Sequence, residues 1–139
     1  MAALPAELGI LACLALFAGL LWIPYIVGIS KMEPLQNAPD PFERPYDLRM
    51  LPAWVHRAYR AHLNLLEQLL PFAILVLIVD RLNGFTALTY WAAIAFFWIR
   101  VIHAFGMIAG FLKMPFRPIV YNLGVLCILI MGYAVFTAA

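Results

Sequence analysis

The chain alternates between long apolar segments and short polar ones. Residues 8–29 and 118–139 each give 22 positions without a charged side chain, and residues 82–99 give 18. A helix that crosses a bilayer needs about 20 predominantly apolar residues. A shorter apolar segment, 68–79, continues a helical pattern that begins near residue 53. The pattern predicts four transmembrane helices, at about 6–31, 53–80, 86–111 and 119–137.

The amino-acid composition supports the prediction of a membrane protein. Hydrophobic residues make up 66% of the 139 positions and charged residues 12%, and the mean hydropathy is +0.95. Soluble domains are closer to half apolar and a quarter charged. The net charge of +2 is too small for a nucleic-acid partner. We therefore expect one domain, 1–139, that is an all-α integral membrane four-helix bundle in contact with lipids.

Lysine and arginine are distributed unequally between the predicted loops. The first and third loops contain five of these residues and the middle loop one: Lys31, Arg44, Arg49, Lys113 and Arg117 against Arg81. Loops rich in Lys and Arg stay in the cytoplasm. We expect a multi-pass protein of the inner or plasma membrane, with both termini outside. The first loop, 31–52, contains five prolines, which exclude a helix, and we expect it to cover a cytoplasmic mouth.

Polar side chains form a stripe along the second predicted helix. At about 100° per residue, Arg60, Asn64 and Glu67 fall within roughly 60° of one another, and Arg57 lies at the margin. Charged groups at membrane depth are costly unless they are paired, so they face the bundle interior and indicate function by default. The stripe is therefore the first candidate for a binding site.

The third predicted helix adds Arg100 and His103, one turn apart on the same face. Three cations, Arg57, Arg60 and Arg100, then meet one anion, Glu67. An excess of cations favours an anionic ligand, and arginine binds carboxylates through two parallel hydrogen bonds. Because a lone carboxylate at this depth is costly, we expect Glu67 to pair with Arg60 or Arg100.

Structural explanations compete with this interpretation at each position. An Arg100–Glu67 ion pair can serve the fold alone, and the Arg57 side chain can extend to the membrane surface. Asn64 can make a hydrogen bond between helices, and His103 can be a satisfied interior histidine. The sequence leaves these alternatives open.

The polar positions resemble the signature of the MAPEG family, the membrane-associated proteins in eicosanoid and glutathione metabolism. The helix-two part of the signature reads Arg57-x-x-Arg60-Ala-His62-x-Asn64-x-x-Glu67-x-x-x-Pro71-Phe72. The later part reads Arg100-Val-x-His103, then Pro115-x-Arg117 and Tyr121. The resemblance covers roughly residues 8–137, and the chain looks like a short, bacterial-type member.

The resemblance implies a homotrimer that binds glutathione between adjacent subunits, near the cytoplasmic side. Many members transfer glutathione to lipophilic electrophiles or reduce lipid hydroperoxides, and some bind lipid without known catalysis. We accordingly expect a glutathione transferase or peroxidase-like protein with a lipophilic small-molecule substrate. The alternative is a non-catalytic lipid-binding or scaffold protein. A transporter is disfavoured, because no repeat or broken-helix pattern is evident.

Site residues follow from the resemblance and from the charge inventory. We expect glutathione to bind at Arg57, Arg60, Asn64, Glu67, Arg100 and His103. The resemblance places Arg117 near the sulfur and Tyr121 beside it, as the catalytic pair, with no metal. A free thiol has a pKa near 8.5, and a nearby arginine favours the thiolate, which is the nucleophile. Arg117 also has a simpler explanation: its charge can set the membrane orientation while its side chain contacts lipid headgroups.

Overall fold

The computed structural model describes residues 4–32 and 50–139, and the regular structure within them is α-helical. The helices are α1 (Ala6–Leu21), α2 (Ile23–Ser30), α3 (Ala53–Arg81), α4 (Ala87–Ala109) and α5 (Phe116–Ala138). Four stretches are long and apolar enough to cross a membrane: Ala6–Ser30, Ala53–Arg81, Ala87–Ala109 and Phe116–Ala138. This confirms the prediction of an all-α integral membrane protein with four spans.

The first span is interrupted, whereas the sequence pattern predicts one continuous helix. α1 ends at Leu21, and α2 begins at Ile23 with Pro24 in its first turn. Proline has no backbone N–H, and its ring clashes with the carbonyl four residues earlier, here that of Leu20. The interruption at Trp22 therefore follows from Pro24, and the predicted helix 6–31 becomes two.

The core lies where α3 meets its neighbours. The Phe72 and Phe96 rings stack 3.9 Å apart with an interplanar angle of 10°. Leu14 of α1, Val76 of α3 and Met131 of α5 are each 0% exposed and join the same cluster. α3 contacts every other helix, so its side chains set the position of the rest of the bundle.

The start of α4 is tied to the start of α1 by a buried carboxylate. Thr86 and Thr89 form a capping box at the first turn of α4. Thr89 Oγ1 accepts the Thr86 backbone N–H at 2.8 Å and donates to Glu7 Oε1 at 2.8 Å. Glu7 is 4% exposed and Thr89 is 0% exposed. Glu7, which precedes an apolar run in the sequence, thus contributes to the fold by linking two spans.

The other end of the bundle holds the polar residues of interest. α3 and α5 begin there, and α2 and α4 end there. The covering role expected of the first loop falls on residues 33–49, which lie outside the described residues.

The predicted orientation is tested by single cysteines on opposite sides. In a Cys13→Ala background, Pro39→Cys is expected to resist a membrane-impermeant thiol reagent in intact cells, and Asn83→Cys is expected to react. The reason is the excess of Lys and Arg in the first and third loops. Permeabilised cells provide the control, since both cysteines should then react. Preferential labelling of position 39 from outside would reverse the orientation.

Candidate functional site

A cavity of about 460 Å³ opens at the end of the bundle where α3 and α5 begin. Two arginines of α3 meet there a lysine from the segment that joins α4 to α5 and an arginine from the first turn of α5. The lining residues are His56, Arg57, Arg60, Met107, Gly110, Leu112, Lys113, Met114 and Arg117. Among these there are four Lys and Arg side chains and no carboxylate. The cavity is therefore suited to an anion.

Arg57 is fixed at the wall of this cavity by the end of α4. Its Nε donates to the carbonyl oxygen of Ile108 at 3.2 Å. Cations near a helix C-terminus are favoured, because they offset the partial negative charge of the last carbonyls. Gly110 ends α4 with a φ of +84°, and a Cβ there would lie 3.1 Å from Arg57 Cζ. Glycine suits this position because it adopts the left-handed backbone conformation without strain and leaves room for the guanidinium.

A second cavity of about 330 Å³ adjoins the first and shares Met114 and Arg117 with it. Its remaining lining residues are Asn64, Pro118 and Tyr121. Arg117 is half-buried in the first turn of α5, and Tyr121 follows one turn later on the same side of the helix. The two side chains thus border a common space that continues from the cationic cavity.

Asn64 lines this second cavity from α3. It is 7% exposed, and its Nδ2 donates to the Arg60 carbonyl oxygen at 2.6 Å within the same helix. This bond uses one of the two amide hydrogens, and the side-chain oxygen of Asn64 takes no part in it. The described hydrogen bonds of Asn64 do not include one to another helix.

Arg100 and His103 are buried in the bundle and do not line either cavity. They are 1% and 2% exposed. Arg100 NH2 donates to the Val120 carbonyl oxygen at 3.1 Å, and its Cζ lies 5.6 Å from the centre of the Phe96 ring. Arg100 Nε and NH1 and His103 Nε2 are buried without a hydrogen-bond partner. Within a single chain, a ligand in either cavity would therefore not contact Arg100 or His103.

Glu67 is exposed at the midpoint of α3. Within residues 4–32 and 50–139, no ion pair joins it to Arg60 or Arg100. The neighbouring residue Gln68 faces inward instead, at 2% exposure, and its Nε2 donates to the Tyr121 carbonyl oxygen at 3.1 Å. The expected pairing of Glu67 is therefore not formed in this chain, because a step of one residue turns a helix by about 100°.

Comparison with known proteins gives one match. The model of the MAPEG family matches residues 9–137 of the 139-residue chain. The chain belongs to the MAPEG family. This family includes glutathione transferases and peroxidases together with other members. The searches of curated proteins and of solved structures each found no match to this MAPEG protein.

The structure of this MAPEG protein places the expected site residues in four locations. The cationic cavity contains Arg57, Arg60 and Arg117, and the adjoining cavity contains Asn64, Arg117 and Tyr121. The bundle interior contains Arg100 and His103, and the exposed surface contains Glu67. One chain of this MAPEG protein therefore brings five of the eight positions together.

Two residues of this MAPEG protein's site region were missed from the sequence. Lys113 lines the cationic cavity but was counted only as a loop charge that sets orientation. Gln68 is buried next to the site region but is uncharged, so an inventory of charges passes over it. Its spacing of four residues from Asn64, which places both on one face of α3, was the available signal.

Proposed function

We propose that the protein binds glutathione in the cationic cavity and directs its thiolate at lipophilic electrophiles. The observation that carries the proposal is the cavity itself, whose described lining has four Lys and Arg side chains and no carboxylate. Glutathione has two carboxylates and one ammonium group, so it is an anion that needs several cations. Family membership supports the same ligand, since glutathione-using proteins are among the family's members.

Arg57 and Arg60 are proposed to bind the carboxylates of glutathione. They are three residues apart on α3, so both guanidinium groups reach the same cavity. Arg57 is held in place by Ile108, whereas the Arg60 side chain is exposed. Arginine is the suitable residue because its planar group binds a carboxylate through two hydrogen bonds.

Arg117 is proposed to stabilise the thiolate at the junction of the two cavities. Arginine stays protonated, so its role is electrostatic and not that of a base. Its position in the first turn of α5 adds to the effect, because the positive end of the helix dipole also favours an anion there. Tyr121 would donate a hydrogen bond to the thiolate or the acceptor. In the transfer step, the sulfur forms a bond to the electrophilic carbon, and a leaving group such as halide departs with its electron pair.

A homotrimer is part of the proposal, and Glu67 supports it. An exposed carboxylate at the midpoint of a membrane span is costly in contact with lipid. A neighbouring subunit that covers this face of α3 would remove that cost and place Glu67 beside a ligand bound between subunits. Glu67 would then pair with the ammonium group of glutathione.

The proposal predicts that Arg60→Ala weakens glutathione binding. A lost hydrogen bond to a charged group is worth about 1.5–3 kcal/mol, so the dissociation constant should rise about tenfold or more. Calorimetry of the purified protein measures this, and added salt should also weaken binding, because the cavity is open to solvent. The matched control is Arg81→Ala, which removes an exposed arginine from the opposite end of the same helix.

Catalysis is measured separately, with glutathione and a generic aryl halide. Turnover with saturable glutathione dependence supports the transferase. Binding without turnover for aryl halides and lipid hydroperoxides would favour the non-catalytic lipid-binding or scaffold role. Absence of glutathione binding altogether would refute the proposal.

A further inference from the structure

We infer that Gln68 and Arg100 are positioning residues that hold the first turns of α5 in place for Arg117 and Tyr121. Gln68 reaches α5 from α3, and Arg100 reaches it from α4. Their bonds are to consecutive carbonyl oxygens, those of Tyr121 and Val120, each at 3.1 Å. A carbonyl oxygen has two lone pairs, so it can accept such a bond besides the one within its own helix. This inference goes beyond the proposed function, but the effect that it predicts on turnover rests on the proposed function.

Gly124 makes this arrangement possible. A Cβ at position 124 would lie 2.9 Å from Arg100 Cζ and would also meet the Gln68 side-chain oxygen. Real Cβ atoms essentially never come that close to another heavy atom. Because position 124 is a glycine, both polar side chains can pass close to α5 and reach the carbonyls of its preceding turn. The three residues therefore act as one unit, which we call the α5 clamp.

The α5 clamp differs from ordinary apolar packing because several of its buried polar atoms have no hydrogen-bond partner. Gln68 Oε1 and Arg100 Nε and NH1 are buried without a partner. Burying polar groups in this way is costly, and apolar side chains of similar size would fill the same space at lower cost. The described bonds that these side chains make between helices are those to α5. Holding that helix in register is consequently the contribution that the structure shows for them.

The α5 clamp acts on the part of α5 that contains the proposed catalytic residues. The two carbonyls belong to the turn that follows Arg117, and one of them belongs to Tyr121 itself. A shift or rotation of this turn carries both side chains with it. Displacements of about 1 Å at a reacting group can cost about 100-fold in rate. Loss of the clamp should thus lower kcat, while the cavity around Arg57 and Arg60, which are on α3, continues to bind glutathione.

The test compares the same substitution at two glycines of α5. Gly124→Ala forces Gln68 and Arg100 away, whereas a Cβ at Gly132 would find its nearest neighbour, Leu75, at an ordinary 3.9 Å. The first readout needs no activity. In a Cys13→Ala background, Tyr121→Cys is labelled with a thiol reagent, and the rate should change severalfold with Gly124→Ala and stay unchanged with Gly132→Ala.

Gln68→Met supplies an independent variant that keeps the volume and removes the donor. It should change the labelling rate in the same direction as Gly124→Ala, and the two effects should not add, because both act on one clamp. Labelling that is unchanged in both variants overturns the inference, whatever the enzyme does. If Gly124→Ala does not fold, Gln68→Met decides the question alone.

Turnover provides the second readout. In the proteins that retain Tyr121, Gly124→Ala and Gln68→Met should lower kcat about 10-fold to 100-fold and leave KM for glutathione nearly unchanged. Gly132→Ala should change neither. Altered labelling in a protein with no turnover would refute the proposed function and leave the positioning role intact. Altered labelling with an unchanged kcat would refute the catalytic consequence of the clamp.

Discussion

Arg117→Ala is expected to lower turnover about 100-fold to 1,000-fold, the range seen when one preorganised electrostatic group is removed from a developing anion. Arg117 is the cation shared by the two cavities, so it is the one best placed next to a sulfur that faces Tyr121. Glutathione affinity should fall much less, since Arg57 and Arg60 remain. The ultraviolet absorbance of bound thiolate, followed against pH, should show that the thiol ionises at a higher pH than in the unaltered protein.

Two further variants separate charge from general damage. Arg117→Lys keeps a positive charge without the planar group, so it should recover part of the thiolate signal. Arg81→Ala removes an exposed arginine at the opposite end of α3 from the cavity and should leave turnover unchanged. An Arg117→Ala protein with normal turnover and normal thiolate ionisation would leave Arg117 as a topology charge and would favour a scaffold role.

Thr89→Val is expected to lower stability more than the same substitution at the other threonines that the structure describes. The change conserves shape but leaves Glu7, which is 4% exposed, without the donor that lies 2.8 Å away. It also removes the side-chain acceptor of the Thr86 N–H. An unsatisfied buried group costs about 1–3 kcal/mol and more when it is charged. The melting temperature of the detergent-solubilised protein should fall accordingly.

Thr137→Val is the matched control for that experiment. Thr137 is exposed near the end of α5, and its hydroxyl bonds only to carbonyls of its own helix. Surface substitutions of this kind usually change stability by about 0.5 kcal/mol or less. Double substitution of Thr89→Val with Glu7→Gln should be less harmful than the sum of the two, because both disturb one contact. Equal melting temperatures for the two threonine variants would mean that the Glu7 link is unimportant.

The spans were predictable because bilayer thickness imposes a length that can be counted directly in the sequence. The break at Trp22 was also predictable in principle, since Pro24 cannot continue a helix without loss. Burial within the bundle was harder. A helical projection gives angles between Arg60, Asn64 and Glu67 but not the direction in which the stripe faces, and the structure buries only Asn64 among the three.

The candidate site was predictable where charge and family pattern coincided, as at Arg57 and Arg117. It was not predictable where backbone atoms are the partners. Arg100 was assigned to a ligand or to Glu67, yet its described hydrogen bond is to the Val120 carbonyl. Every residue has a carbonyl, so the sequence contains no mark for such a partner. Gln68 also bonds to a backbone carbonyl, that of Tyr121, and only its spacing of four residues from Asn64 indicated that it faces the bundle interior.

The hydrogen bond between Arg57 and Ile108 gives the cationic cavity two unlike ends. The Arg57 guanidinium is already ordered before any ligand arrives, so a carboxylate bound there costs little additional side-chain entropy. Arg60 is exposed, and immobilising such a side chain costs about 0.5–1.5 kcal/mol. If an anion binds as proposed, one of its ends would meet an ordered group and the other a side chain that can extend or fold back. Ligands that share one acidic end but differ in length would then fit without any movement of the backbone.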